Sequence, residues 1–173
     1  MTRNSFFLSG LLAVAAWGGS LFAAEVGAAR PAQAAVEAVL NRYHSAAAQA
    51  DGAAYFALMA PECVLLGTDA TERWTVEQFK GYAQPHFSQG KGWTYLVKAR
   101  HVTFSPSGDF AWFDEILDNK SYGTCRGTGV LRREGDRWLL CQYHLTIPVP
   151  NELAKRVVQL IRGPAEPPAG AAR

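Results

Sequence analysis

The sequence predicts an α+β fold: three N-terminal helices cover one face of an antiparallel sheet of about four long strands plus one short, and a C-terminal helix follows. Three observations carry this. From Phe110 to Pro150 the chain reads as three consecutive strands, FAWFDEILD, TCRGTGVLRR and WLLCQYHLTI. They are separated by NKSYG and by Glu134-Gly135-Asp136-Arg137, and Pro148 ends pairing. Upstream, Val36, Val39, Leu40, Tyr43, Ala46, Ala47 and Ala50 recur at helical spacing as one apolar stripe. Between the two, Thr75 with Gln78 three residues on is a capping box that starts a further helix.

In chain order, Arg3 and the amino terminus precede an apolar run from Phe6 to Ala24, the pattern of an export signal over residues 1–24. Cleavage is expected after a small residue between Ala23 and Ala34, which gives a periplasmic or secreted protein. The run, at ~20 residues, would anchor the chain in a membrane only if it were left uncleaved. The domain proper is expected over residues 35–162. Its first helix sets Glu37, Asn41, His44 and Gln49 opposite the apolar stripe and stops at Asp51-Gly52. A short helix, Ala53 to Met59, ends before Pro61, and Cys63 to Leu66 is a short buried strand.

Gly67 to Trp74 reads as a polar loop, and the capped helix runs from Val76 towards Ser88 with Pro85 kinking it. After Gly90-Lys91-Gly92 a long strand, Trp93 to Phe104, turns at Ser105-Pro106-Ser107-Gly108-Asp109 into the three-strand run. Asn151 is a good N-cap for the last helix, with Leu153, Val157, Leu160 and Ile161 expected inward. Residues 163–173 are rich in Pro, Gly and Ala and are expected to be a disordered tail.

Composition excludes one function class. The 173 residues carry 17 Lys and Arg against 15 Asp and Glu, a net +2 without the basic patch that nucleic-acid binding needs. Cys63, Cys125 and Cys141 show no metal-ligand spacing, and the strand register keeps Cys125 and Cys141 too far apart for a bridge, so they read as small apolar sheet residues.

Gly108-Asp109-Phe110-Ala111-Trp112-Phe113-Asp114-Glu115, Arg126 to Leu131 and Trp138 to Glu152 resemble the SnoaL-like domains of the nuclear-transport-factor-2-like superfamily. Gly67-Thr68-Asp69 followed by Glu72-Arg73-Trp74 is similar to a second family stretch, and the likeness runs from about Ala35 to Ile161. It implies a cone-shaped fold whose curved sheet and helices enclose a pocket. The same fold hosts isomerases, dehydratases, cyclases and plain binding or assembly modules, so the resemblance leaves function open.

Strand parity then selects candidate site residues. On the last strand, Leu139, Cys141, Tyr143, Leu145 and Ile147 form the drier face, taken as the inside. Trp138, Gln142 and His144 fall outside, where the smooth Gly127 and Gly129 would let a second copy approach and form a homodimer. A two-residue turn at Gly135-Asp136 sets Thr128 against Tyr143 and Arg126 against Leu145, and a five-residue loop sets Asp114 opposite Thr128. The expected inward set is therefore Asp114, Arg126 and Tyr143 as acid/base or anchoring residues, with Tyr55, Trp112 and Thr128 lining the pocket. A one-residue shift would instead point Glu115 inward with Ala111, Phe113 and Leu117. The reading placed first is an exported module that binds a small, mostly apolar molecule. The alternatives are an acid/base isomerase, dehydratase or cyclase working without cofactor or metal through Asp114 or Glu115 and Tyr143, and a structural dimerisation module.

Overall fold

A computed structural model describes the backbone of residues 19–163, with side chains from Ala32 onward. The expected export segment therefore lies mostly, and the expected tail almost wholly, outside the described residues. The chain divides into two units, Met1–Ala34 and Ala35–Arg173. In the first, the described residues are helical. No helix among the described residues is long and apolar enough to cross a membrane.

The second unit is α+β. Helix α1 (Gly19–Ala48) reaches into it, and α2 (Gly52–Phe56) follows after Ala50, which turns the chain at φ 55°. Asp51 caps α2 by accepting from the Ala54 amide at 2.9 Å. Strand β1 (Met59–Leu66) starts earlier than expected and runs through Pro61. Within the stretch expected to be loop, Arg73–Thr75 forms a short strand, β2, which pairs antiparallel with the end of β1. Thr75 then caps α3 (Val76–Phe87) by the reciprocal Thr75–Gln78 bonds expected of a capping box.

Strands β3 (Leu96–Phe104), β4 (Phe110–Asn119), β5 (Gly123–Glu134) and β6 (Arg137–Thr146) are the antiparallel set anticipated. The sheet has six strands in the order β2-β1-β6-β5-β4-β3, and it is mixed rather than wholly antiparallel because β1 runs parallel to β6. The β4–β5 register is the expected one, with Asp118 opposite Thr124 and Asp114 opposite Thr128. The β5–β6 register is not. Leu131 pairs Leu140 but Val130 pairs Gln142, so Cys141 is an extra residue in β6. Such a bulge reverses which residues face each side of a strand. Trp138 and Leu140 before it, and Tyr143 and Leu145 after it, all face the helices.

The core lies between that sheet face and α1, α2 and α3. Val36, Leu40, Tyr43, Tyr55, Ala83 and Phe87 meet Ala111, Phe113, Leu131, Trp138, Leu140 and Tyr143 there. Trp138 is 5% exposed and packs on Phe104 with ring centres 5.7 Å apart, so it is not an outer-face residue as parity without the bulge required. Gly127 and Gly129 are corrected likewise. A Cβ on Gly129 would strike the Phe113 ring and the Gln142 carbonyl, which puts this glycine on the covered face. After a 3-10 turn (Asn151–Leu153), α4 (Ala154–Arg162) leaves Leu160 and Ile161 at 72% and 78% exposure instead of turning them inward.

Trp138→Ala is expected to cost ~3–5 kcal/mol of unfolding free energy, the range for emptying a large aromatic from a core. Trp112→Ala, on the exposed side of β4, should change stability by ~0.5 kcal/mol or less. Urea unfolding of the two variants measures both.

Candidate functional site

Among the described residues, Glu115 is the one acid in the core. It sits on β4 in the inward row with Ala111, Phe113 and Leu117, and none of its surface is exposed. An ionised carboxylate so placed needs charged and hydrogen-bonding partners on every side. Arg100 stands directly opposite on β3, donates from Nε to Glu115 Oε2 at 2.8 Å, and brings Nη2 to within 2.8 Å of the same oxygen. Its Nη1 donates to Asn41 Oδ1 on α1 at 2.8 Å, which ties the guanidinium to the helix layer. His44, also on α1, places Nε2 2.6 Å from Glu115 Oε1. From β6, Tyr143 donates its hydroxyl to Oε1 at 3.3 Å.

Gly127 makes this convergence sterically possible. It faces Glu115 across the β4–β5 ladder, and a Cβ there would lie 2.6 Å from Tyr143 Oη and 2.8 Å from Glu115 Oε1. The glycine is thus a clearance for a buried hydrogen bond rather than a smooth outer surface.

Burial by itself would push the Glu115 carboxyl up, but the hydrogen bond and charge of His44 and the guanidinium of Arg100 together hold it below the ordinary carboxylate range. Glu115 is therefore an acceptor, and the hydrogen between it and His44 belongs to Nε2. For the other ring nitrogen, Nδ1, the described residues supply no hydrogen-bond partner. Arg100 Nη2, angled off its contact with Glu115, is the one buried side-chain polar atom in the described residues without a hydrogen bond, so Nδ1 is not sealed away. Burial, followed by the nearby Glu115 charge, raises the Tyr143 phenol well above its usual value and keeps it a hydrogen-bond donor.

His44 and Tyr143 form one end of a cavity of about 240 Å³. Tyr43 and Tyr55 line it too. The Tyr55 and Tyr43 hydroxyls share a hydrogen bond of 2.6 Å. Burial raises the Tyr43 phenol, so its proton stays on oxygen. The rest of the wall is mainly aromatic, with Trp74, Phe79, Tyr82 and Trp93 among its members. The arrangement offers a positioned base and, 5.4 Å away ring to ring, a phenolic donor in a largely apolar space.

Of the residues singled out from sequence, Tyr55 and Tyr143 line this cavity, and Glu115 lies behind it, bonded to His44 and Tyr143. Asp114, Arg126 and Trp112 do not: they lie exposed on the opposite sheet face, and Thr128, in the same outward row, is half-buried. Their assignment followed from pairing Thr128 with Tyr143, whereas the bulge at Cys141 pairs Gly129 with Tyr143 and turns the neighbouring rows over. His144 faces outward, as expected, opposite Thr128. The residues sequence reasoning missed are His44 and Arg100. Each left a signal: Leu40, His44 and Ala47 fall on one helical stripe, and Arg100 shares strand parity with Val102 and Phe104. Cys63, Cys125 and Cys141 are all free thiols.

Residues 36–150 match the family model described as a SnoaL-like domain. No curated protein matches the chain. Among solved structures, a domain of unknown function with a cystatin-like fold from Nostoc punctiforme superposes with a TM-score of 0.64 at 14% identity, over 79% of this chain and 89% of that one. An NTF2-like protein of unknown function from Pseudomonas putida gives 0.59 at 17% identity, over 71% and 91%. A cystatin-like fold protein from Burkholderia xenovorans gives 0.58 at 20%, over 69% and 95%. At these identities the likeness is one of fold alone.

The buried carboxylate fixes how stability responds to acid. Because folding lowers the Glu115 value, its contribution is complete above the unfolded carboxyl range, near ~4.3, and is lost as pH falls through the folded-state value. Thermal melts between pH 7 and pH 2.5 should show the parent losing stability on acidification more steeply than Glu115→Gln. Arg100→Met removes one partner of a covered pair and should cost ~3 kcal/mol or more at neutral pH. It should also move the acid limb of the curve to higher pH.

Proposed function

The chain belongs to the SnoaL-like domain family, and from the site it carries we propose that it catalyses proton transfer on a small, mostly apolar molecule with its own side chains. The observation behind this reading is the Arg100–Glu115–His44 chain ending at an imidazole that lines an aromatic cavity and whose Nδ1 has no partner among the described residues. Arg100 and Asn41 orient Glu115. Glu115 holds His44 in the tautomer whose Nδ1 accepts a proton, and it stabilises the imidazolium that forms. A C–H bond next to a carbonyl would give its proton to Nδ1, and the electron pair would form the enolate double bond. The oxygen charge would then be met by the Tyr43 hydroxyl. Return of the proton to another carbon completes an isomerisation. Departure of a β-oxygen substituent with that proton completes a dehydration.

His44, buried and lining the cavity beside a carboxylate-bonded network, favours the enzyme over the binding module placed first from sequence. A binding module stays as the second reading because the aromatic cavity would hold a planar ligand without any chemistry. Export and homodimer formation remain part of the proposal. The first is supported by the apolar segment before Ala24, the second by Trp112 and Phe110, 48% and 40% exposed on the outer sheet face.

The test is the ring opening of 5-nitrobenzisoxazole, which needs only a positioned base: the ring C–H proton leaves, the N–O bond breaks, and a coloured phenolate nitrile forms. The protein should accelerate it, and His44→Gln should lower kcat/KM by about 10²–10⁴-fold, the usual worth of a general base. Tyr143→Phe should lose less, because it removes a hydrogen bond to Glu115 rather than the base. Turnover by the parent no faster than by His44→Gln would end the catalytic reading and leave the binding module.

A further inference from the structure

The end of the cavity away from His44 has its own chemistry. Trp74 from β2, Phe79 and Tyr82 from α3, and Trp93 from the segment before β3 form its walls. Phe79 touches the other three, with ring centres 5.8 Å from Tyr82, 6.3 Å from Trp74 and 5.9 Å from Trp93. It meets the two tryptophans at 72° and 71°, whereas Tyr82 lies tilted against Phe79 and Trp74 at 39° and 35°.

The charge at this end has one sign. Glu72 lines the cavity, and no Lys or Arg lines it. No cationic side chain among the described residues lies within ion-pair distance of the Glu72 carboxylate. Its place is built: Gly67 and Glu72 are joined by a backbone bond of 2.9 Å, and Glu72 Oε2 accepts from the Asp69 amide at 3.2 Å. A Cβ on Gly67 would overlap that carboxylate, so the glycine is what lets it fold back over the end of β1. A carboxylate without a counter-ion among the described residues, lining the same cavity as several electron-rich rings, is a setting that attracts an alkylated ammonium group, which rings and charge both favour. An anion would meet repulsion there, and a neutral group would forgo the charge.

We infer that the cavity takes a small molecule bearing an alkylated ammonium group, with its nitrogen beside Glu72, Trp74 and Tyr82 and its uncharged remainder directed towards His44. This rests on the cavity being the ligand site, but not on the proton transfer at its other end.

Choline and its uncharged isostere 3,3-dimethylbutan-1-ol are the probes, titrated calorimetrically into the full chain. Choline is expected to bind about tenfold more tightly than the alcohol, a difference within the range for cation–π contact aided by a carboxylate. Glu72→Gln keeps the side-chain volume and the acceptor for the Asp69 amide, and should reduce that preference to about twofold. Asp114→Asn removes the same charge from the outer sheet face and should leave it unchanged, which excludes an effect of net charge. Equal affinity of the two probes, a preference that survives Glu72→Gln, or no binding of either overturns the inference. If choline shows no advantage while 5-nitrobenzisoxazole is still turned over through His44, the cation inference alone falls. Loss of both results removes the ligand-site reading as well.

Discussion

One buried negative charge organises this domain. Glu115 lies in the sheet face that the helices cover, among Ala111, Phe113 and Leu117, where an unpaired carboxylate would be costly enough to unfold a domain of ordinary stability. Its partners come from β3, β6 and α1, so satisfying one side chain fixes the relation of three elements. The requirement reaches to residues that carry no chemistry. Gly127 must lack a side chain for Tyr143 to approach Glu115, and the exposed Asn41 on α1 must reach Arg100 for the guanidinium to be held at both ends.

The same bonds make the site hard to separate from the fold. Removing Glu115 or Arg100 strips a partner from a covered charge, and any loss of activity would be mixed with loss of structure. His44 is different. It stands at the boundary between the ion pair and the cavity, and a glutamine there retains a group that can donate to Glu115 while lacking the basic nitrogen. Position in the network, rather than closeness to a ligand, decides which substitution reports on chemistry.

Most of the fold was legible in the sequence because its signals are local. The apolar stripe of α1, the Thr75–Gln78 capping box and the turns at Asn119 to Gly123 and Gly135-Asp136 all lie within a few residues of what they determine. The parallel pairing of β1 with β6 and the strand Arg73–Thr75 were not legible, since each depends on a distant partner. The site failed at a single residue. Cys141 is an ordinary sheet residue by composition, and nothing adjacent to it announces a bulge, yet it turns over the parity carried from β6 to β5 and β4. Tyr143 was assigned inward from its own strand and is inward. Asp114 and Arg126 were assigned across the bulge and lie on the other face. Had the alternation been counted from β3, where Arg100 shares a side with Val102 and Phe104, the opposed Glu115 would have followed without reference to β6.

The cavity joins two environments that need not interfere. At the inner end the charges of Arg100 and Glu115 nearly cancel over a distance of 2.8 Å, so seen from across the cavity they act as a short dipole whose field falls away quickly. Glu72 has no such partner, and its field extends along the aromatic walls. On the proposed reading, attraction of a ligand by charge is set at the Glu72 end, apart from the His44–Glu115 bond. Proton transfer at His44 can likewise proceed without a counter-charge from Glu72, because Glu115 already faces the imidazolium that would form. Among the described residues one carboxylate lies in the core and another lines the cavity; on the proposed reading the first would set what the site does to a molecule and the second which molecules reach it.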